Sequence, residues 1–144
     1  MIPGLDPVSG LLFQIMREMR GAIGRRAAEF DITPQQAFLL VRTLRRPEAS
    51  PTELGAEVGT DNAGITRLVD RLEAKGLVAR RNHPGDRRSI VIELTQSGQE
   101  LAPSLAPIFA GVERQLIADL SNEEVSHLKA LLRRLLANLR EASA

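Results

Sequence analysis

The sequence predicts a mainly α fold that carries one small β-hairpin, and three observations predict it. Three times a Ser or Thr stands three residues ahead of a Gln or Glu, at Thr33–Gln36, Ser50–Glu53 and Ser121–Glu124, the pairing that opens a helix. Apolar residues then recur at spacings of three and four, the period of a helix with one buried face. One segment breaks that period: Ser89-Ile90-Val91-Ile92-Glu93-Leu94 is short and rich in β-branched residues.

A first helix opens at Asp6-Pro7, with proline at the first helical position, and runs to about Phe30. Its seam is Val8, Leu12, Ile15, Met19 and Ala22. Thr33-Pro34-Gln35-Gln36 starts the second helix, and Ser50-Pro51-Thr52-Glu53 starts a short third, which Gly59 ends. The fourth covers about Asn62 to Lys75, with Ile65, Leu68, Val69 and Leu72 on its apolar face and Gly76 as its stop. Leu77 to Arg81 forms one strand, Asn82–Asp86 a turn by composition, and Ser89–Leu94 the second strand. Thr95 caps a fifth helix, in which Pro103 and Pro107 predict a kink or break near residues 102–107. The last helix follows Ser121, and its stripe is Val125, Leu128, Leu132, Leu135 and Leu139, widened by Leu131 and Leu136.

The 144 residues suit a single domain, with 43% hydrophobic and 26% charged residues as in a soluble globular protein. The absence of cysteine excludes disulfides, thiolate metal sites and thiol redox chemistry, and fits a cytoplasmic location. No run approaches the ~20 apolar residues of a membrane span, and Met1–Gly10 lacks the basic start of a secretory leader. No Gly-rich phosphate loop, nucleophile elbow or zinc motif is present, and the two histidines, His83 and His127, have no metal-ligand spacing. The expectation is therefore no enzyme, no cofactor and no metal.

Net charge is only +1, yet it is unevenly placed. Residues 62–90 hold seven Lys/Arg against three acids, whereas residues 108–144 hold five of each sign. A local excess of this kind is the electrostatic footprint of a nucleic-acid binder. Aromatics are 3%, all Phe, too few for the stacking platforms of single-strand binders, so the composition favours duplex DNA.

Gly55, Gly59, Ile65 and Leu68 have the spacing of a helix-turn-helix: a small residue where two helices meet, a glycine at the turn, and apolar residues that fill the joint. The basic hairpin that follows makes this a winged helix-turn-helix. The run from Thr60 to Val78, the Asp86-Arg87-Arg88 triplet and Leu94-Thr95-Gln96-Ser97-Gly98 resemble the recognition helix, wing and following junction of the MarR (multiple antibiotic resistance regulator) family. The resemblance covers about residues 30–100. It implies a homodimer on pseudo-palindromic DNA, often released by a small lipophilic or phenolic effector, whose pocket the sequence does not locate.

At 100° per residue, Ala63, Arg67 and Asp70 point away from the apolar face of the fourth helix, with Thr66 and Arg71 on its flanks. Arg67 is the first candidate for a base contact, because a guanidinium fits guanine bidentately. Asn62, Ala63, Thr66 and Arg71 complete the predicted major-groove set. Asp70 would repel phosphate unless Arg67 or another arginine neutralises it. Arg87 and Arg88 are candidates for the minor groove, whose narrow form attracts arginine, with Asp86 placed to hold the Arg88 guanidinium. At most one of Arg80 and Arg81 faces the duplex, since they alternate across a strand; Lys75 is a weaker candidate, and His83 is read as a turn residue.

Val8, Leu12 and Ile15 with Leu128, Leu132, Leu135 and Leu139 are the predicted dimerisation residues, from first and last helices that entwine with a second copy. Residues 31–95 are then the DNA-binding block, and 5–30 with 96–144 the dimerisation region of one domain spanning 1–144. The expected function is a sequence-specific, duplex-DNA-binding transcription regulator acting as a repressor. The rival reading is a winged-helix module for protein partners, which has no need of Arg67, Arg87 and Arg88 on one face.

Overall fold

A computed structural model describes residues 7–143, so Asp6 and the first residues of the N-terminal segment lie outside the described part of the chain. Two compact units divide the chain, Met1–Val112 and Glu113–Ala144. The first contains α1 (Val8–Ala27), a 3₁₀ turn (Ala28–Phe30), α2 (Pro34–Arg45), α3 (Pro51–Val58), α4 (Asn62–Ala74), β1 (Val78–His83), β2 (Asp86–Leu94) and most of α5 (Gln96–Leu116). The second contains the end of α5 and α6 (Asn122–Ala142). No described helix is long and apolar enough to cross a membrane.

The helix starts follow the capping chemistry, with three refinements. Pro7 occupies the N-cap of α1 rather than its first helical position. At α2 the capping box is complete: the Gln36 N–H donates to Thr33 Oγ1 at 3.2 Å and the Thr33 N–H to Gln36 Oε1 at 3.1 Å. At α3 it is half a box, since Ser50 accepts from the Glu53 N–H but the Glu53 side chain makes no return bond. α4 is capped by Asp61, whose Oδ1 accepts the Gly64 N–H at 2.7 Å. Gly59 and Gly76 close α3 and α4 at φ of +83° and +73°, a backbone conformation that favours glycine.

α2 lies at the centre of the first unit, with Leu39 and Leu40 fully buried. Leu54 of α3, Ile65, Val69 and Leu72 of α4, Ile92 of β2 and Leu105 of α5 close around it, so these elements share one core. Each such side chain contributes about 1.5–3 kcal/mol through burial. Arg42 of α2 also grips Glu57 of α3 with two donors: Nη2 meets Oε1 at 3.0 Å while Nε bonds Oε2. The hydrogen bond from Arg42 holds the Glu57 carboxyl below its ordinary value of 4.5.

The hairpin is tighter than its composition suggests. β1 extends to His83 and β2 begins at Asp86, so only Pro84 and Gly85 form the turn. The antiparallel register runs from Val78↔Leu94 to Asn82↔Ile90 and then jumps to His83↔Asp86. Arg87, Arg88 and Ser89 are thereby left without partners on β1, an irregularity of the bulge kind that re-aims side chains. The Ile92 N–H donates to the Ala49 carbonyl at 3.1 Å, which fastens β2 to the loop before α3.

Of the kink or break expected in α5, the break does not occur: the helix is continuous through Pro103 and Pro107. Both prolines sit on its exposed side, and Gln99, whose carbonyl Pro103 leaves without a donor, is exposed as well. The carbonyls that the missing N–H groups leave open thus belong to residues on the solvent side of the helix. On the other side Ala102, Leu105, Ile108 and Val112 are buried and hold the helix in place.

α5 starts on a close contact. The Gly98 N–H donates to Thr95 Oγ1, whose hydroxyl in turn donates to the Gly76 carbonyl at 2.6 Å. A Cβ on Gly98 would lie 2.1 Å from the Leu77 carbonyl oxygen, whereas one on Gly55 would meet Ile65 at 3.4 Å, an ordinary contact. The helix-turn-helix joint thus has room for a methyl group, and the start of α5 has none.

In the second unit, α6 begins with a complete capping box, Ser121 with Glu124, and contains no buried residue. Its apolar stripe is open: Leu128, Leu132 and Leu135 are 38–40% exposed and Leu139 is 70% exposed.

Two predictions follow from the first unit. Gly98→Ala lowers stability in urea melts by about 1–3 kcal/mol or more, while Gly55→Ala stays within about 1 kcal/mol of the parent. Glu57→Gln costs below about 1 kcal/mol at neutral pH, because solvent screens a carboxylate that is 37% exposed. Since the folded Glu57 value is depressed, its contribution is present above 4.5 and is lost as pH falls through the folded value. The difference between parent and variant therefore closes in acid, as pH-dependent melts will show.

Candidate nucleic-acid interface

α4 buries Ile65, Leu68, Val69 and Leu72 and turns Asn62, Ala63, Thr66, Arg67, Asp70 and Arg71 outward, all exposed. The 3.6-residue period alone produces this division. Asn62 is the first helical residue, and Thr66 donates its hydroxyl to the Asn62 carbonyl at 2.8 Å, leaving its oxygen free to accept. Among the described residues, no ion pair engages Arg67 or Arg71. Their guanidiniums face solvent with donors unspent.

Other cations of the basic stretch are used internally. Arg80 Nη2 meets Asp70 Oδ1 at 2.9 Å, Nη1 bonds Glu73 Oε1, and Nη2 lies 3.4 Å from the Thr66 carbonyl. Asp70 is therefore neutralised from β1 rather than by Arg67. Arg81 reaches Glu93 at 3.0 Å across the hairpin. Lys75 turns back toward α2, bonding the Asp31 carbonyl and Gln36 Oε1, so it supports the α2 cap and does not join the outward set.

Arg87 and Arg88 are exposed and, among the described residues, have no acidic partner. Asp86 does hold this segment, but through the backbone: its Oδ1 accepts the Arg88 N–H at 2.9 Å and its Oδ2 the Ser89 hydroxyl at 3.1 Å. The expected contact to the Arg88 guanidinium is absent, which leaves that group free. His83, expected in the turn, is instead the last residue of β1, and its Nδ1 accepts the Gly85 N–H at 3.0 Å, which braces the turn from the strand. Sequence reasoning did not find the Asp61 cap or the role of Arg80. The first was legible, an Asp directly before the helix; the second depends on how the hairpin docks on α4.

Val8, Leu12 and Ile15 are all exposed on α1, at 60%, 36% and 41%, as are the four predicted leucines of α6. Phe13 and Met16 widen the apolar surface of α1, at 73% and 59%.

Comparison with known proteins agrees with this geometry. The MarR family model matches residues 30–89, from the end of the 3₁₀ turn into β2. A solved structure of MarR is 30% identical, with a TM-score of 0.76, over 99% of this chain and 96% of that one. MepR of S. aureus in complex with DNA is 27% identical, with a TM-score of 0.84, over 93% and 99% of the two chains. A mutant MarR of E. coli complexed with operator DNA is 26% identical, with a TM-score of 0.77, over 90% and 94%. With its helices, hairpin and exposed arginines in this arrangement and a 30% identical relative matched almost end to end, the chain belongs to the MarR family.

Proposed function

We propose that this chain is a sequence-specific transcription regulator that binds duplex DNA in the cytoplasm as a homodimer on a pseudo-palindromic operator and acts there as a repressor. The observation that carries the proposal is the set Arg67 and Arg71 on α4 with Arg87 and Arg88 on β2, unpaired among the described residues, in a chain whose net charge is only +1. α4 would enter the major groove, with Arg67 reading a guanine edge and Asn62, Ala63, Thr66 and Arg71 beside it. The Asp86-braced bulge would carry Arg87 and Arg88 toward the minor groove. The DNA-bound MepR and MarR relatives support this reading.

The open apolar faces of α1 and α6 are the proposed dimer surface, which leaves residues 31–95 as the DNA-binding block. A pair of recognition helices would then span one DNA turn, ~34 Å. The first unit also holds an open cleft of about 340 Å³, walled by Met16, Met19, Ile23, Phe38 and Phe109, with Arg20 and Glu57 among its polar residues. It suits the apolar body of a lipophilic or phenolic effector. Such a ligand releases DNA only if it binds the non-fitting helix spacing more tightly than the fitting one.

Fluorescence anisotropy on an operator-containing duplex at several salt concentrations tests the DNA reading. Wild type binds tightly and weakens steeply with salt. Arg67→Ala costs ~1–3 kcal/mol and relaxes sequence preference, whereas Arg88→Ala weakens binding and lowers the salt slope by about 1. Binding that is insensitive to salt and to both substitutions contradicts the proposal. Leu132→Asp with Leu135→Asp shifts sedimentation from dimer to monomer and weakens operator binding with it; an unchanged dimer removes α6 from the interface.

A further inference from the structure

α4 carries two arginines, Arg67 and Arg71, and two acids, Asp70 and Glu73, so on its own it is electrically neutral. A helix whose side chains cancel adds no net charge toward a duplex, which carries one negative charge per ~1.7 Å of axis. Asp70 moreover stands three residues after Arg67, the spacing at which side chains of opposite sign pair along a helix. Left alone, Asp70 would draw Arg67 down onto the helix and away from a base.

Arg80 prevents both effects. It projects from β1, where its backbone is paired with Ile92, and its side chain is 29% exposed. The two ends of its guanidinium take one carboxylate each, Nη2 at 2.9 Å from Asp70 and Nη1 against Glu73. The fork geometry also brings Nη2 to 3.4 Å from the Thr66 carbonyl.

We propose that Arg80 is a positioning residue for DNA binding: it pairs with Asp70 and Glu73 so that neither carboxylate engages Arg67 or Arg71, which remain the unpaired charges of α4 among the described residues. The proposal rests on α4 being the DNA-contacting helix. It assigns Arg80 no contact with DNA and makes the hairpin a part of the recognition helix's electrostatics as well as a wing.

The test is duplex binding by anisotropy, with a thermal melt of each variant. Arg80→Met keeps the apolar stem and removes the fork; it is expected to weaken binding about tenfold, the scale of one charge-assisted contact. Adding D70N and E73Q to Arg80→Met is expected to restore binding to within about threefold of wild type, because no carboxylate remains to be masked. Arg80→Lys falls between, since one ammonium cannot hold two carboxylates as the fork does. Arg80→Met that binds like wild type overturns the proposal. A triple variant as weak as Arg80→Met overturns it too, and makes Arg80 either a DNA contact or a purely structural residue. If Arg80→Met does not stay folded at the assay temperature, D70N with E73Q in the presence of Arg80 decides: binding at least as tight as wild type is expected, and weaker binding overturns the proposal. A wild type that binds no duplex at all defeats the DNA reading before any variant is compared.

Discussion

The constraint on which the rest of the first unit depends is the contact between the start of α5 and the end of α4. Thr95 donates its N–H to the Leu77 carbonyl at 3.1 Å and its hydroxyl to the Gly76 carbonyl, and Gly98 lies too close to Leu77 for any side chain. The root of the hairpin is thereby closed, since Val78 and Leu94 are its first register pair. The same bonds aim α5, whose buried Ala102, Leu105 and Ile108 complete the core around α2. The hairpin, the end of α4 and the first turn of α5 thus share a single anchoring point of packed, hydrogen-bonded neighbours.

On that frame the charges are sorted rather than merely abundant. Of the seven basic residues between 62 and 90, three are engaged by specific partners: Arg80 by Asp70 and Glu73, Arg81 by Glu93, Lys75 by the α2 cap. The four others, Arg67, Arg71, Arg87 and Arg88, stay exposed and unpaired among the described residues. Every acid of that stretch is occupied as well, Asp86 by the Arg88 N–H and the Ser89 hydroxyl. A protein with a net charge of +1 can therefore present a local positive surface to a polyanion without a basic composition.

Much of this was legible because it is local. The complete capping boxes at Thr33 and Ser121, the left-handed Gly59 and the division of α4 into buried and exposed faces all arise within a few residues of sequence. What depended on distant neighbours was not. The pairing of Arg80 with Asp70 needs the hairpin folded back on α4, and the need for glycine at Gly98 exists only because the Leu77 carbonyl arrives there. Of the kink or break expected at Pro103 and Pro107, no break forms, for a similar reason: both prolines face solvent while the opposite face is held by the core. The wing turn was placed correctly but too broadly, because turn composition extends over Asn82–Asp86 while the register leaves only Pro84 and Gly85 outside the strands.

The central claim is that two copies of the α4–hairpin unit read DNA together. The most direct test is selection of duplexes from a random pool by the intact protein, with the number of chains per bound duplex measured on the enriched sequence. The expected result is a two-fold symmetric site, half-site centres about one helical turn apart, occupied by two chains. Enrichment of an asymmetric site bound by one chain, or no enrichment at all, would contradict it.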